Sequence, residues 1–144
     1  MKLLLTIALL ICLNANGQKL FEKRDWVVYA SQYLSGFSCG VAEQVNYHPD
    51  ALFKQFPGLN RQWWDIRVSY KNKYGESPLL TPFSDANHFF KASSLLFNCV
   101  SVGFSFGDLP AHGKFWFFAK KMLFSYVSNK LGFGTSYYLI FKNK

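Results

Sequence analysis

The sequence predicts an all-α protein: a small membrane helical bundle of about three hydrophobic helices, preceded by a cleaved signal peptide and interrupted by an irregular interfacial middle segment. Three observations carry this expectation. Residues 26–47, 88–106 and 115–141 form long apolar stretches. Each has a stripe of small or polar residues at spacings of three and four, as one helix face requires. Proline- and glycine-containing connectors separate them.

With 144 residues, half of them hydrophobic, the chain has room for one domain and a modest core. Aromatic residues make up 19%, including sixteen Phe, and rings of that size must be buried in protein or lipid. The near-zero mean hydropathy, +0.02, is low for a chain made of spanning helices. Net charge is +8, or +7 without Lys2, spread along the chain with no dense run. That pattern suits anionic lipid headgroups or topology marking. It does not suit nucleic acid, for which there is no basic stripe with stacking aromatics and no motif.

Residues 1–17 read as the signal peptide, leaving 18–144 as a single helical membrane domain. Lys2 is the charged start, 3–13 an apolar run too short to span, and Ala15, Asn16 and Gly17 a small-x-small cleavage site. Cys12 follows Leu10 and Ile11 without the small residue a lipoprotein signal needs. Of the cysteines left, Cys39 and Cys99 each sit within an apolar stretch and read as buried packers; export would also permit a disulfide.

The first helix runs from Trp26 to Tyr47, with Trp26, Tyr29 and Tyr33 as interfacial anchors. Ala30, Leu34, Phe37, Val41 and Val45 form its lipid-like side. Gln32, Ser35, Gly36, Cys39, Gly40, Glu43 and Tyr47 form the packing side, where Gly36 and Gly40 let another backbone approach closely. His48, Pro49 and Asp50 end the helix, since proline cannot extend its ladder. The middle segment, 50–87, mixes Lys54, Arg61, Arg67, Lys71 and Lys73 with aromatic residues, as a segment on the headgroups or folded over the helix ends would. Residues 50–56 suggest a short helix, Pro57 and Gly58 a turn, and Ile66, Val68 and Tyr70 a short strand.

The second helix is expected over 88–106, with Asn87, Lys91, Ser94, Asn98, Ser101 and Ser105 as its seam. Its rival is local, because residues 100–106 also alternate as a strand would. After a tight connector at 107–113, the third segment places Lys121, Ser125, Ser128, Gly132 and Ser136 along one side, with a kink expected at Gly132 and Gly134. Central cations cost about 2.5 to 3.5 kcal/mol each on insertion scales, so Lys120, Lys121 and Lys130 need snorkelling or an acidic partner. Three crossings from an external N-terminus would put the basic middle segment and the C-terminus inside.

Five residues form a candidate polar site: Glu43, His48, Asp85, His88 and Lys91. Glu43 and Lys91 fall at similar depth and read first as an ion pair registering two helices. Glu43, His48, Asp85 and His88 are donors that zinc could use to activate a water. Their spacing is unspecific; Asp85 also reads as a cap for the helix that His88 begins. No nucleophile elbow, phosphate loop, paired CxxC or HExxH is present.

Ser35, Gly36, Gly40, Glu43 and His48, followed by Asn60, Gln62, Trp63, Trp64 and Asp65, then Ser69, Tyr70, Asn72, Lys73 and Tyr74, then Asp85 and His88, together resemble an uncharacterised family of short bacterial proteins with a leader and several hydrophobic helices. That family has no settled activity, so the resemblance implies an envelope location and little more. The expectation is therefore a small integral protein of the bacterial inner membrane, without cofactor, working by helix packing or by binding lipid, an envelope partner or a second copy of itself. The alternatives are a zinc-dependent membrane hydrolase acting on a lipid-like substrate and a compact α+β or β-rich protein exported to the periplasm.

Overall fold

The computed structural model describes residues 23–69, 80–105 and 115–141. The leader, Tyr70, Lys71, Lys73 and the 107–113 connector lie outside these. The elements of the described chain are all helical, in the order α1 (Lys23–Tyr47), α2 (Pro49–Gln55), α3 (Arg61–Trp64), a 3-10 turn (Thr81–Phe83), α4 (Ala86–Ser105) and α5 (Phe115–Gly134). A π-helical turn, Thr135–Ile140, continues α5 directly.

α1 is the axis of the molecule. It packs along both α4 and α5, whereas α4 and α5 scarcely touch each other. Side-chain pairs fix the directions. Gln32 and Ser35 of α1 meet Asn98 and Ser94 of α4 in descending order, so these helices are antiparallel. Asp25, Tyr29 and Gln44 meet Lys121, Ser128 and Tyr137 in ascending order, so α1 and α5 run parallel.

The α1–α5 contact depends on glycine from both sides. A Cβ on Gly36 would overlap the Asn129 carbonyl oxygen, one on Gly40 the Ser136 hydroxyl, and one on Gly132 the Tyr33 carbonyl oxygen. Reciprocal glycines therefore bring the two backbones together, as the Gly36 and Gly40 spacing suggested. The change to π geometry follows Gly134, near where a kink was expected.

The middle segment closes the Tyr47 end of the bundle. Leu52 of α2 packs with Val41, Val45 and Ala86, and Leu59, Trp63, Trp64, Phe90 and Phe141 surround that cluster. This corrects the assignment of Val41 and Val45 to a lipid-like side: they are 2% and 1% exposed. Their apolar stripe continues that of Leu34, but its lower half is covered by the chain's own cap.

Ile66 and Val68 do not form a strand. Their backbone is a turn, closed by the Val68 N–H donating to the Asp65 carbonyl at 3.1 Å. Arg67 stabilises it by holding Asp65 at 2.9 Å and Asp50 of α2 at 2.7 Å. Both carboxyls are held below the usual range, first by the hydrogen bonds from the Arg67 guanidinium. Residues 100–105 are helical, which removes the second strand alternative.

Two anchor and cysteine expectations also change. Tyr29 is buried, its ring centroid 5.8 Å from that of Phe124, rather than interfacial. Cys99 is exposed and Cys39 half-buried, and they form no disulfide. Among the described residues, no helix is long and apolar enough to cross a membrane. The polar seams lower the average in every helix, and the reading as three simple spanning helices loses that support.

Candidate functional site

Because α4 and α5 scarcely touch, one side of α1 faces a cleft between them. Gln32 spans it halfway along. Its side-chain amide donates to Asn98 Oδ1 at 3.1 Å, and Asn129 Nδ2 donates back to the Gln32 carbonyl and Oε1 at 3.2 and 3.3 Å. This clasp joins all three helices and divides the cleft.

On one side of the clasp lies a cavity of about 330 Å³. Asp25, from the first turn of α1, meets Lys121, from the second turn of α5, at 2.6 Å on its wall. Both are buried, and Asp25 is 1% exposed. The serines of α4 and α5, Ser101, Ser105 and Ser125, face the same space, with Val28, Val102, Phe118 and Met122 as its apolar lining. Desolvating two opposite charges together is far less costly than desolvating either alone, which is why Lys121 can occupy the bundle interior. Lys121 was expected on this seam and to need either snorkelling or an acidic partner; of the two it has the partner, Asp25. Asp25 itself was missed, since it sits in a charged lead-in that reads as solvent-exposed.

On the other side of the clasp, Cys39 and Glu43 follow Gln32 by seven and eleven positions and so continue its helix face. Glu43, Lys130 and Lys91 all lie close enough to Cys39 to act on it electrostatically. Glu43 and Lys91 form no ion pair with each other among the described residues, so the expected registering pair is replaced by Asp25 and Lys121. Lys91 is exposed rather than turned into the seam. Lys130 is exposed too, its ammonium 5.5 Å from the Tyr126 ring centroid.

The remaining candidates lie at the capped end. Asp85, fully buried, accepts the His88 backbone N–H at 2.9 Å and so caps α4. The same carboxylate contacts His88 Nδ1 at 2.9 Å, orienting the ring. Burial works to raise the Asp85 pKa, but the hydrogen bonds from the His88 backbone and ring and from Ser69 outweigh it and leave the group below the usual carboxylate range. His48 sits between α1 and α2 with Nε2 at 3.0 Å from the Tyr137 hydroxyl. Gln44, one turn earlier, donates to the Tyr137 and Phe141 carbonyls at 2.8 and 3.2 Å, clamping the π-helical turn.

Thus Asp85 and His88 converge, while Glu43 and His48 have other neighbours. Among the described residues, no three His, Cys, Asp or Glu side chains gather closely enough to hold a metal ion, so the zinc constellation of Glu43, His48, Asp85 and His88 is not assembled. No known family model matches this chain, and no curated protein or solved structure matches it either.

Proposed function

We propose that this chain is a small integral protein of the bacterial inner membrane with a structural or interaction role, seated in lipid as an assembled bundle. One observation supports this most: the helices are arranged polar side in. Asp25, Ser35, Gln44, Ser101, Lys121 and Ser136 are buried, while Leu34, Leu95, Leu96, Met122, Leu123 and Leu131 are 42 to 66% exposed. Water favours the reverse, and hydrocarbon favours this arrangement. The polar residues that lower the helices' mean hydropathy are largely those the assembled bundle turns inward. Helices of 25, 20 and 20 residues rise about 37, 30 and 30 Å, close to the thickness of a hydrocarbon core. Trp26 is exposed at one end, and Lys54, Arg61 and Arg67 at the other, positions suited to headgroups and, for the cations, to anionic lipid on the inner face.

Carbonate extraction tests this reading. Membranes from bacteria expressing the full chain should retain the protein in the pellet; its release into the supernatant would overturn the proposal. A metal-dependent hydrolase has less behind it, because the described histidines and acids form only the Asp85–His88 pair.

A further inference from the structure

We propose that the cavity between α1, α4 and α5 at the Asp25 end binds an uncharged amphiphile, one alkyl or acyl chain with a hydroxyl or ester head, such as a long-chain alcohol or a monoacylglycerol. The inference goes beyond the membrane reading and does not depend on it.

Size is the first argument. At about 330 Å³ the space is many times that of a single water and falls at the lower end of small-molecule sites. It is lined from all three helices, α4 and α5 scarcely touching while both pack on α1, so it belongs to the architecture and not to one missing side chain.

The lining gives the chemical class. Val28, Val102, Phe118 and Met122 supply apolar surface suited to a hydrocarbon chain. Facing them are hydroxyls with unused capacity. Among the described residues, the Ser101 and Ser125 side chains make no hydrogen bond, and Ser105 donates to the Ser101 carbonyl at 2.8 Å, leaving its oxygen able to accept. A ligand hydroxyl or ester oxygen matches these groups.

Charge decides against the common alternatives. Asp25 and Lys121 already neutralise each other at 2.6 Å inside the bundle. A fatty acid or an alkylamine would bring a third charge to a wall whose two charges already offset each other, and would have to give up its own hydration to do so. A neutral head keeps the pair intact.

The route in is lateral. Val102 and Met122 line the cavity yet are 53% and 58% exposed, so they mark its mouth between α4 and α5. That mouth opens on the outside of the bundle among other exposed apolar side chains, where a hydrocarbon chain would approach.

The test uses the purified full chain in digitonin micelles with a photoreactive diazirine analogue of hexadecanol. Labelling should concentrate on the peptides carrying Val102, Phe118 and Met122. Unlabelled hexadecanol should compete, and hexadecanoate or hexadecylamine should compete at least about ten-fold less well, as expected of a site that binds neutral heads. Met122→Trp fills the mouth at an exposed position where folding is not challenged, and should lower labelling about ten-fold. Leu95→Trp, on an outward face, should leave it unchanged. Labelling spread over Leu95, Leu96 and Leu131, equal competition by the charged amphiphiles, or an unaffected Met122→Trp would each overturn the proposal. Because binding is read on solubilised protein, it is decided separately from membrane extraction.

Discussion

Asp25 and Lys121 show how a single pair can decide what an interior tolerates. A buried ion pair contributes little over a well-packed apolar replacement, but removing one member takes from the other a charge it is buried against. Lys121→Met should therefore destabilise the bundle by about 3 to 5 kcal/mol, and adding Asp25→Leu should recover most of that loss. Unfolding of the detergent-solubilised variants measures both; a double variant as weak as the single one would refute the account. Asp85 gives a prediction in pH. Held below its ordinary pKa, this carboxyl binds its proton less readily in the folded chain than in the unfolded one. Its contribution is present above the usual carboxylate range and is lost as pH falls through the folded value. Asp65, with the same direction of shift, adds to the effect. Stability should drop below about pH 4, and Asp85→Asn, which can still cap α4, should flatten part of that drop. Thermal melts from pH 7 to pH 3 would reveal an unaltered profile if the cap carried no charge-dependent stability.

At the scale of elements, the α1–α5 contact rests on the absence of side chains. Gly36→Val should cost at the upper end of about 1 to 3 kcal/mol, because the obstacle is the Asn129 backbone and not a side chain that can turn aside. Gly103 lies in α4 with open space around its missing Cβ. There Gly103→Ala should stabilise by about 0.5 to 1 kcal/mol, through helix propensity alone. Parallel unfolding of the two variants separates contact from propensity. The Gly36 and Gly40 spacing was visible in the sequence because close approach demands a small residue at fixed intervals. The Tyr47 end of α1, the short helix α2 and the Pro57–Gly58 turn were visible for similar local reasons. Val41, Val45 and Tyr29 were not, since periodicity places residues on a face without saying what covers that face. The Asp25–Lys121 pair spans 96 positions, and no local pattern joins them. The supposed strand at Ile66 and Val68 fails for the converse reason: Arg67, between them, draws the chain into a turn through Asp65 and Asp50.

For the molecule as a whole, the central helix has neighbours on two sides and a cap at one end, and its outward surface is mostly hydrocarbon. On α4 and α5 that surface includes the exposed Leu95, Leu96 and Leu131 and is interrupted by the exposed Lys91 and Lys130. Cys99 reports on that surface. It is exposed on α4, about 5 Å along the axis from the helix midpoint. If lipid surrounds the bundle, a charged, membrane-impermeant maleimide should not reach Cys99 in intact membranes, since a charged reagent does not enter hydrocarbon. A cysteine placed by Lys54→Cys on the exposed cap should react readily once the inner face is opened, and Cys99 should become reactive when the protein is unfolded in dodecyl sulfate. Equal reactivity of the two positions in the folded protein would mean that water, not hydrocarbon, bathes α4, and the inward turn of its serines would then need another cause.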